Sequence, residues 1–234
     1  MKTPRERPDR TTSIWLRDEA PPSRPSSLTR ERIVHEAVKL LDESGVSGLT
    51  MRRLADGLDV TAAALYWHVQ TKEDVLDLTL DHIFGDVPLP EPTADWRSDV
   101  RRLTQSWRTV MLRHPWAPSL IGRPVWGPRV LSRTEYLQSA LLRGGLTDLE
   151  LVVMTRLLAN YVIGSALTEA TFRQAADPRI REVARRHITR NHTAYPVLNA
   201  SGHLDTERGN DDDLFNRGLD AILAATPQRD AQRP

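Results

Sequence analysis

One short pattern occurs three times near the start of the 234-residue chain: an apolar residue, a threonine, and a second apolar residue four positions after the threonine. A threonine can cap a helix by accepting an otherwise unpaired backbone N–H. The two apolar residues can then pack on each other as a hydrophobic staple. The three copies are Leu28, Thr29 and Ile33; Leu49, Thr50 and Leu54; and Val60, Thr61 and Leu65. They predict helices that start at residues 30, 51 and 62.

These starts, together with the glycines that follow, divide the N-terminal part of the chain into four short helices. The predicted ranges are 30–44, ended by Gly45; 51–58; 62–69; and 71–84, ended by Gly85. Asp59 lies in the three-residue turn between the second and third helices, where it would adopt the left-handed conformation that Asp tolerates better than most residues. Two short helices joined in this way are typical of a helix-turn-helix, whose second helix lies in the DNA major groove. The helix at 62–69 is therefore the predicted reading helix.

A proline-rich stretch that starts at residue 87, V-P-L-P-E-P-T, separates this part from a longer helical body. No stretch beyond it alternates apolar and polar residues for long, which favours helices over strands. The first two expected helices are one marked by apolar residues from Trp96 to Met111 and one at 130–143, which ends at Gly144. A long helix at 147–173 should begin with a capping box formed by Thr147 and Glu150. Asp177 and Pro178 should begin a further helix, and the last helix, at 214–225, follows a loop at 202–213. The predicted fold class is all-α, with an N-terminal three-helix DNA-binding domain followed by a C-terminal helical ligand-binding and dimerisation domain. The predicted boundaries are a disordered basic arm at 1–27, the DNA-binding domain at 28–70, a connecting helix and joint at 71–94, the body at 95–226 and a tail at 227–234.

Composition and charge restrict the possible functions without selecting one. The chain has no cysteine, which excludes a disulfide framework and a thiol nucleophile. No secretory signal is recognisable, and no apolar run reaches the ~20 residues that span a bilayer, so we expect a soluble, cytoplasmic protein with no membrane contact. Residues 28–86 carry 6 Lys/Arg against 11 Asp/Glu, a formal charge of −5, which by itself argues against DNA. However, the cations Arg52, Arg53 and Lys72 flank the reading helix, and three of the acids, Asp74, Asp77 and Asp81, follow it on the next helix.

The segment L-T-M-R-R-L-A-D-G-L-D-V-T-A-A-A-L-Y-W-H-V-Q-T-K-E-D-V-L-D resembles the DNA-binding domain of the TetR family. The similarity is greatest to the tetracycline-repressor branch, whose reading helix also ends in L-Y-W-H-V with a lysine shortly after. It runs without gaps over residues 28–84. A weaker resemblance continues through Trp96, the region of His114 and the F-x-x-G-L-D ending from Phe215 to Asp220. Asp59 departs from the family's usual glycine.

The resemblance implies a set of DNA-contacting residues. Arg52 would place its guanidinium fork on a guanine, and Arg53 would assist it. The base-reading positions would be Thr61, Ala62, Ala63 and Ala64, of which the three alanines can offer only methyl contacts. The phosphate-binding residues would be Tyr66, Trp67, His68 and Lys72, which set the register of the protein on DNA. Tyr66 and Trp67 could alternatively be core aromatics, and Arg52 a solvated surface residue.

A single reading helix implies a homodimer on a palindromic operator, because half-sites lie about 34 Å apart. The resemblance implies that the helices at 147–173 and 214–225 form a four-helix bundle across that dimer.

Four tryptophans in the body predict an aromatic-lined cavity for a small-molecule effector. The predicted ligand-binding residues are Leu103, Trp107, Met111, His114, Trp116, Ile121, Trp126 and Tyr161. Each could equally be a core residue.

A Mg²⁺–tetracycline complex is not the expected effector. The resemblance implies that the family's polar drug and metal contacts fall on Pro88, Leu103, Leu120 and Thr168. The oxygen and nitrogen ligands that such a complex requires are therefore mostly missing, although Glu169 is adjacent to Thr168. No metal site and no cofactor are therefore predicted, and the expected effector is apolar or aromatic.

The predicted function is a transcriptional repressor that a small-molecule effector releases from operator DNA. Two alternatives are an enzyme, for which no H-E-x-x-H motif or nucleophile elbow is present, and a helical adaptor that binds proteins. The arm at 1–27 would be either an extension without a role or a DNA-contacting arm that uses Arg17 and Arg24.

Overall fold

The computed structural model describes residues 13–17, 28–120, 123, 125–175, 177, 179–205 and 207–226. Over these residues it contains helices and no strand, which confirms the all-α prediction. The helices are α1 (Arg30–Gly48), α2 (Met51–Gly57), α3 (Ala62–Tyr66), α4 (Lys72–Phe84), α5 (Trp96–Arg113), α6 (Pro128–Arg143), α7 (Asp148–Arg173), α8 (Ile180–Arg190), α9 (Pro196–Ser201) and α10 (Asp211–Ala224). Short 3₁₀ turns lie at Ile14–Leu16 and Ala117–Leu120. The chain forms two compact units: Met1–Pro90 with Arg113–Leu137, and Glu91–Leu112 with Gln138–Pro234.

The three predicted caps form in the first unit. Thr29, Thr50 and Thr61 each accept the backbone N–H three residues ahead, at 3.2 Å. The later apolar member of each staple is fully buried, because the cap directs the first helical turn into the core. The starts of α1, α2 and α3 are therefore where the sequence predicts them.

Helix α4 lies at the centre of the first unit, with nearly all of its side chains buried. Its start has a capping box that the sequence interpretation missed, although the segment T-K-E-D has the required spacing. The Thr71 hydroxyl accepts the N–H of Asp74 at 3.0 Å, and the Asp74 carboxylate accepts the N–H of Thr71 at 3.2 Å. This reciprocal pair fixes the point at which the chain enters α4.

Three aspartates on α4 face other segments of the first unit. Asp74 is bonded to Arg17, and Asp77 accepts from Arg123 at 3.0 Å. Asp81 accepts the N–H groups of Arg129 and Val130 at the start of α6, both at 3.0 Å. Burial raises the pKa of the Asp81 carboxyl more than these N–H groups lower it.

All three aspartates are nearly inaccessible to solvent. Three of the eleven acids that counted against DNA binding are therefore buried within the unit rather than displayed on its surface.

Part of the predicted arm is ordered. The turn at Ile14–Leu16 packs on α4, and Arg17 is engaged by Asp74, so the prediction of disorder is wrong for residues 13–17. The remainder of the arm, with Arg24, and the tail at 227–234 lie outside the described residues.

Several helix boundaries differ from the predictions. Gly45 has φ of +64° at the expected end of the first helix, but helical turns resume and continue to Gly48. Helix α3 ends at Tyr66 rather than residue 69, because Val69 turns inward and is buried. Thr147 precedes α7 but makes no side-chain cap, since Asp148 takes a positive φ of 50°.

The last third of the chain holds more helix than predicted. Helix α8 begins at Ile180, because Asp177 bonds to the N–H of Arg179 in a turn that precedes the helix. Helix α9 lies before the predicted loop and was missed, and α10 begins three residues early because Asn210 caps it. These shifts do not change the fold class.

The second unit packs α5, α7 and α10 around an apolar core that contains a buried arginine. Arg108 on α5 pairs with Glu169 on α7 and, at 2.6 Å, with Asp212 on α10. Its guanidinium also lies 4.8 Å from the centre of the Phe215 ring. One residue therefore connects all three helices.

Helix α7 is the one helix of the described part that is long and apolar enough to cross a membrane. Length and composition alone decide that test, and the core helices of water-soluble proteins also pass it. Within this chain, 22% of the apolar window is buried.

Candidate nucleic-acid interface

The predicted helix-turn-helix is present as α2, a tight turn and α3. The turn is closed by the N–H of Val60 bonding to the carbonyl of Ala55 at 3.1 Å. Asp59 has φ of +54°, the left-handed conformation expected for it. Leu54 of α2 and Leu65 of α3 are fully buried, and the two helices pack on each other, which fixes the angle at which α3 is held.

The first turn of α3 faces solvent. Thr61, Ala62 and Ala63 are exposed and Ala64 is half-buried, while Leu65 anchors the helix in the core. A surface of small methyl groups allows close approach and can contact thymine methyls without offering a hydrogen bond. This edge is not packed inside its unit, as a purely structural helix would require.

The two aromatic residues at the end of α3 are not core residues. Tyr66 is 49% exposed and Trp67 is 84% exposed, so the alternative that both fill the core is wrong. His68 is half-buried, and Val69 brings the chain back into the core. A tryptophan this exposed next to a tyrosine indicates a contact surface, since burying such rings is otherwise strongly favourable.

The three predicted cations differ in whether their side chains bond to other parts of the protein. Arg52, in the first turn of α2, has a side chain that is 92% exposed and lies 4.0 Å from Asp56, a weak surface pair. Arg53 instead donates to the carbonyl of Gly48 at 2.7 Å, and the Lys72 ammonium donates to the carbonyl of Val46 at 2.7 Å.

Arg53 and Lys72 therefore hold the last turn of α1, at Gly48 and Val46. Sequence reasoning could not find these bonds, because they depend on the turn that follows Gly45. Arg52 is the cation directed into solvent among the three.

The predicted ligand-binding residues fall into both units. Leu103 and Met111 are buried on α5, and Trp107 and Tyr161 are half-buried in the same unit. His114 and Trp116 are buried in the first unit, and Trp126 there is 46% exposed. Ile121 lies outside the described residues.

His114 and Trp116 share a partner that the sequence did not reveal. The His114 Nδ1 lies 2.8 Å from Asp42 of α1, and the Trp116 indole N–H donates to the same carboxylate at 2.7 Å. The His114 Nδ1 and the Trp116 indole N–H thus both bond to Asp42 within the first unit.

The second unit contains an open cleft of about 370 Å³ between α7 and α10. Its lining residues are Asn160, Tyr161, Gly164, Ser165, Thr168, Glu169, Asp211, Leu214 and Phe215. Tyr161 is the one predicted ligand residue among them. Its hydroxyl donates to the carbonyl of Phe215 at 2.9 Å, and its ring stacks on the Phe215 ring, with centres 5.3 Å apart. Burial raises the pKa of the Tyr161 phenol.

Glu169 is not available as a simple metal ligand, because Arg108 and Arg173 both pair with its carboxylate. Over the described ranges, no group of three or more histidines and carboxylates is placed to hold a metal ion.

Comparison with known proteins connects this geometry to a family. The model of the bacterial regulatory proteins of the tetR family matches residues 33–78, and that of the tetracyclin repressor-like C-terminal domain matches residues 89–226. An HTH-type transcriptional regulator of Saccharopolyspora erythraea is 38% identical over 214 residues, which cover 91% of this chain and 90% of that protein. The HTH-type transcriptional repressor DrrR1 of Streptomyces coeruleorubidus is 32% identical over 94% of this chain and 85% of that protein.

A solved structure agrees over most of the chain. The TetR family protein ActR of Streptomyces coelicolor, in complex with actinorhodin, aligns with a TM-score of 0.78 and 29% identity. The alignment covers 86% of this chain and 97% of that one. Members of this family are DNA-binding regulators rather than enzymes. With both family domains matched and similarity along nearly its full length, the chain belongs to the TetR family of transcriptional regulators.

Proposed function

We propose that the protein is a transcriptional repressor that binds a palindromic operator as a homodimer and leaves it when a small molecule binds. The observation that carries the proposal is the solvent-facing first turn of α3, with Arg52 exposed on α2 and Tyr66 and Trp67 exposed at the other end. DrrR1 is named as a repressor, which supports repression over activation.

In the proposed complex, α3 lies in the major groove. Arg52 makes two hydrogen bonds to a guanine, and Thr61 to Ala64 follow the base edges. Tyr66, Trp67, His68 and Lys72 contact phosphates on either side, with Arg53 in support. The three cations together supply the dependence on salt that phosphate contacts produce.

The proposed dimer surface is the apolar side of α7 and α10. Exposed apolar side chains on these two helices are Leu149, Val152, Val153, Leu157, Leu167 and Leu214. Leaving so many unpaired in water is unfavourable, and a second copy would bury them. The dimer would then present two copies of α3 at successive major grooves, about 34 Å apart.

The proposed effector is apolar or aromatic, because the candidate contacts include three tryptophans and the family's polar drug contacts are mostly missing. The structure of ActR in complex with actinorhodin supports a bound effector. The candidate contacts remain Leu103, Trp107, Met111, His114, Trp116, Ile121, Trp126 and Tyr161, in a ligand-binding and dimerisation domain over 95–226. The effector would shift α4, which follows α3 after Gln70, so that the two reading helices no longer match the half-site spacing. A cytoplasmic location is part of this proposal.

A gel shift tests the proposal. The probe is a labelled duplex of the DNA immediately upstream of the chain's own gene, with a scrambled duplex of equal length as the control. We expect a complex with the first duplex that weakens steeply with salt, and none with the second at the same concentrations. Equal binding to both duplexes, or to neither, would contradict a sequence-specific repressor.

A further inference from the structure

The N-terminal segment at residues 13–17 is bonded to the first half of α4 at two points. The Arg17 guanidinium donates to both oxygens of Asp74, at 2.9 and 2.8 Å. The Ser13 hydroxyl donates to Asp77 at 3.2 Å. The Arg17 side chain is 15% exposed and that of Asp74 is 2% exposed, so the pair is largely shielded from water. A two-point arginine–carboxylate pair in such a site is both stronger and more directional than a surface ion pair.

Asp74 also fixes the joint between the reading helix and α4. Its carboxylate accepts the backbone N–H of Gln70 at 2.9 Å and of Thr71 at 3.2 Å. These residues are the last part of the connection that starts after Tyr66, where α3 ends. One carboxylate therefore holds the joint from one side and the N-terminal segment from the other.

We infer that Arg17 is a positioning residue for the reading helix, acting through Asp74 on the joint at Gln70 and Thr71. The two hydrogen bonds from Arg17 hold the buried Asp74 carboxylate in the orientation in which it accepts these two N–H groups. Without it, the carboxylate would be drawn toward water, and α3 would lose a fixed orientation relative to α4. The inference rests on the proposed function, because the benefit of a fixed reading helix is DNA affinity.

This role differs from the DNA-contacting arm that the sequence left open. The guanidinium of Arg17 is enclosed and neutralised by Asp74, so it is not displayed to a phosphate. Loss of a phosphate contact lowers both affinity and the salt dependence of binding, whereas loss of a positioning residue lowers affinity alone. The two roles are therefore separable by experiment.

The first measurement uses the full chain without DNA. Hydrogen–deuterium exchange is compared for wild type, Arg17→Ala and Arg17→Lys. We expect faster exchange at the amides of Gln70, Thr71 and Asp74 in Arg17→Ala, a smaller change in Arg17→Lys, and no change in α7. Unchanged exchange at the joint would overturn the inference, whatever the DNA result.

The second measurement is the affinity for the upstream duplex over a range of salt concentrations. Arg17→Ala should bind about fivefold or more weakly than wild type with an unchanged salt slope. Arg190→Ala, which removes one positive charge from the exposed end of α8, is the matched control and should bind as wild type does. A salt slope reduced by about one in Arg17→Ala would overturn the inference in favour of direct DNA contact, and an equal loss in both variants would overturn it in favour of a general effect of charge.

The two measurements separate failure of the inference from failure of the proposed function. If wild type does not bind the duplex, the repressor proposal fails for that DNA, while the exchange data still report whether Arg17 holds the joint. Faster exchange together with unaltered affinity would also contradict the positioning role.

Discussion

The phenol oxygen of Tyr161 on α7 occupies the space that a Cβ atom would need at Gly218 on α10. The glycine is therefore required by a close approach between two helices, and its φ is not in the left-handed region. The same contact lets the Tyr161 hydroxyl reach the carbonyl of Phe215 at 2.9 Å.

Gly218→Ala should therefore destabilise the second unit. The added methyl displaces the Tyr161 ring from Phe215 and breaks its hydrogen bond, at an expected cost of about 1–3 kcal/mol. Tyr161→Phe removes the clashing oxygen, so the double variant should lose less stability than the two single losses added together. Urea denaturation at one fixed protein concentration measures all four proteins. Gly218→Ala as stable as wild type would refute the packing described here.

Asp99 makes the stability of the second unit depend on pH in the acidic range. Burial raises the pKa of its carboxyl, but the hydrogen bonds from Thr93 and the charges of Arg102 and Arg143 outweigh this and lower the pKa below 3.8. The folded state thus favours the ionised form more than the unfolded state does. That stabilisation is present above the unfolded pKa and is lost as the pH falls through the folded pKa.

The prediction is that wild type loses stability as the pH falls below about 4, and that Asp99→Asn loses less over the same range. Thermal denaturation between neutral pH and pH 3 measures the difference. Parallel curves for the two proteins would show that Asp99 is not the responsible group.

Leu157 tests the proposed dimer surface. It is 44% exposed on α7, whereas Leu142 on α6 is 55% exposed and serves as the matched control. Leu157→Glu places a charge within the apolar side of α7, so light scattering after size exclusion should give the mass of one chain. Leu142→Glu should remain a dimer. A dimeric Leu157→Glu would place the interface elsewhere.

Arg52 tests base recognition. Arg52→Ala should lose roughly 1–3 kcal/mol of binding free energy on the best operator and become tolerant of substitution at one base position. Binding selection from a library of operator variants measures both effects. A uniform loss on all sequences would assign Arg52 to a phosphate instead of a base.

Local chemistry explains which parts of the fold were predictable. The threonine caps and the Asp59 turn depend on residues within a few positions of each other, so the starts of α1 to α3 follow from sequence alone. The F-x-x-G-L-D ending was recognised only as a resemblance. The structure explains each of its residues. Phe215 stacks on the Tyr161 ring, Gly218 leaves space for the Tyr161 hydroxyl, and Asp220 pairs with Arg101.

Long-range bonds explain most of what was missed. The sequence did not identify the partners of the three aspartates of α4, because Arg17, Arg123 and the start of α6 lie between 46 and 57 residues away. The engagement of Lys72 by Val46 and of His114 by Asp42 has the same origin. It was inferable that Tyr66 and Trp67 are not both buried on one face of the helix, since adjacent residues cannot share a helix face. That both are exposed was not inferable.

The central claim is that the exposed turn of α3 meets DNA, and Ala63→Glu tests it most directly. The variant adds a negative charge on the exposed side of α3, while Ala200→Glu adds the same charge to the exposed surface of α9. Fluorescence anisotropy with the upstream duplex should show tight, salt-sensitive binding by wild type and Ala200→Glu. Ala63→Glu should show no complex although its circular dichroism is that of the folded protein. Wild-type affinity in Ala63→Glu would contradict the claim.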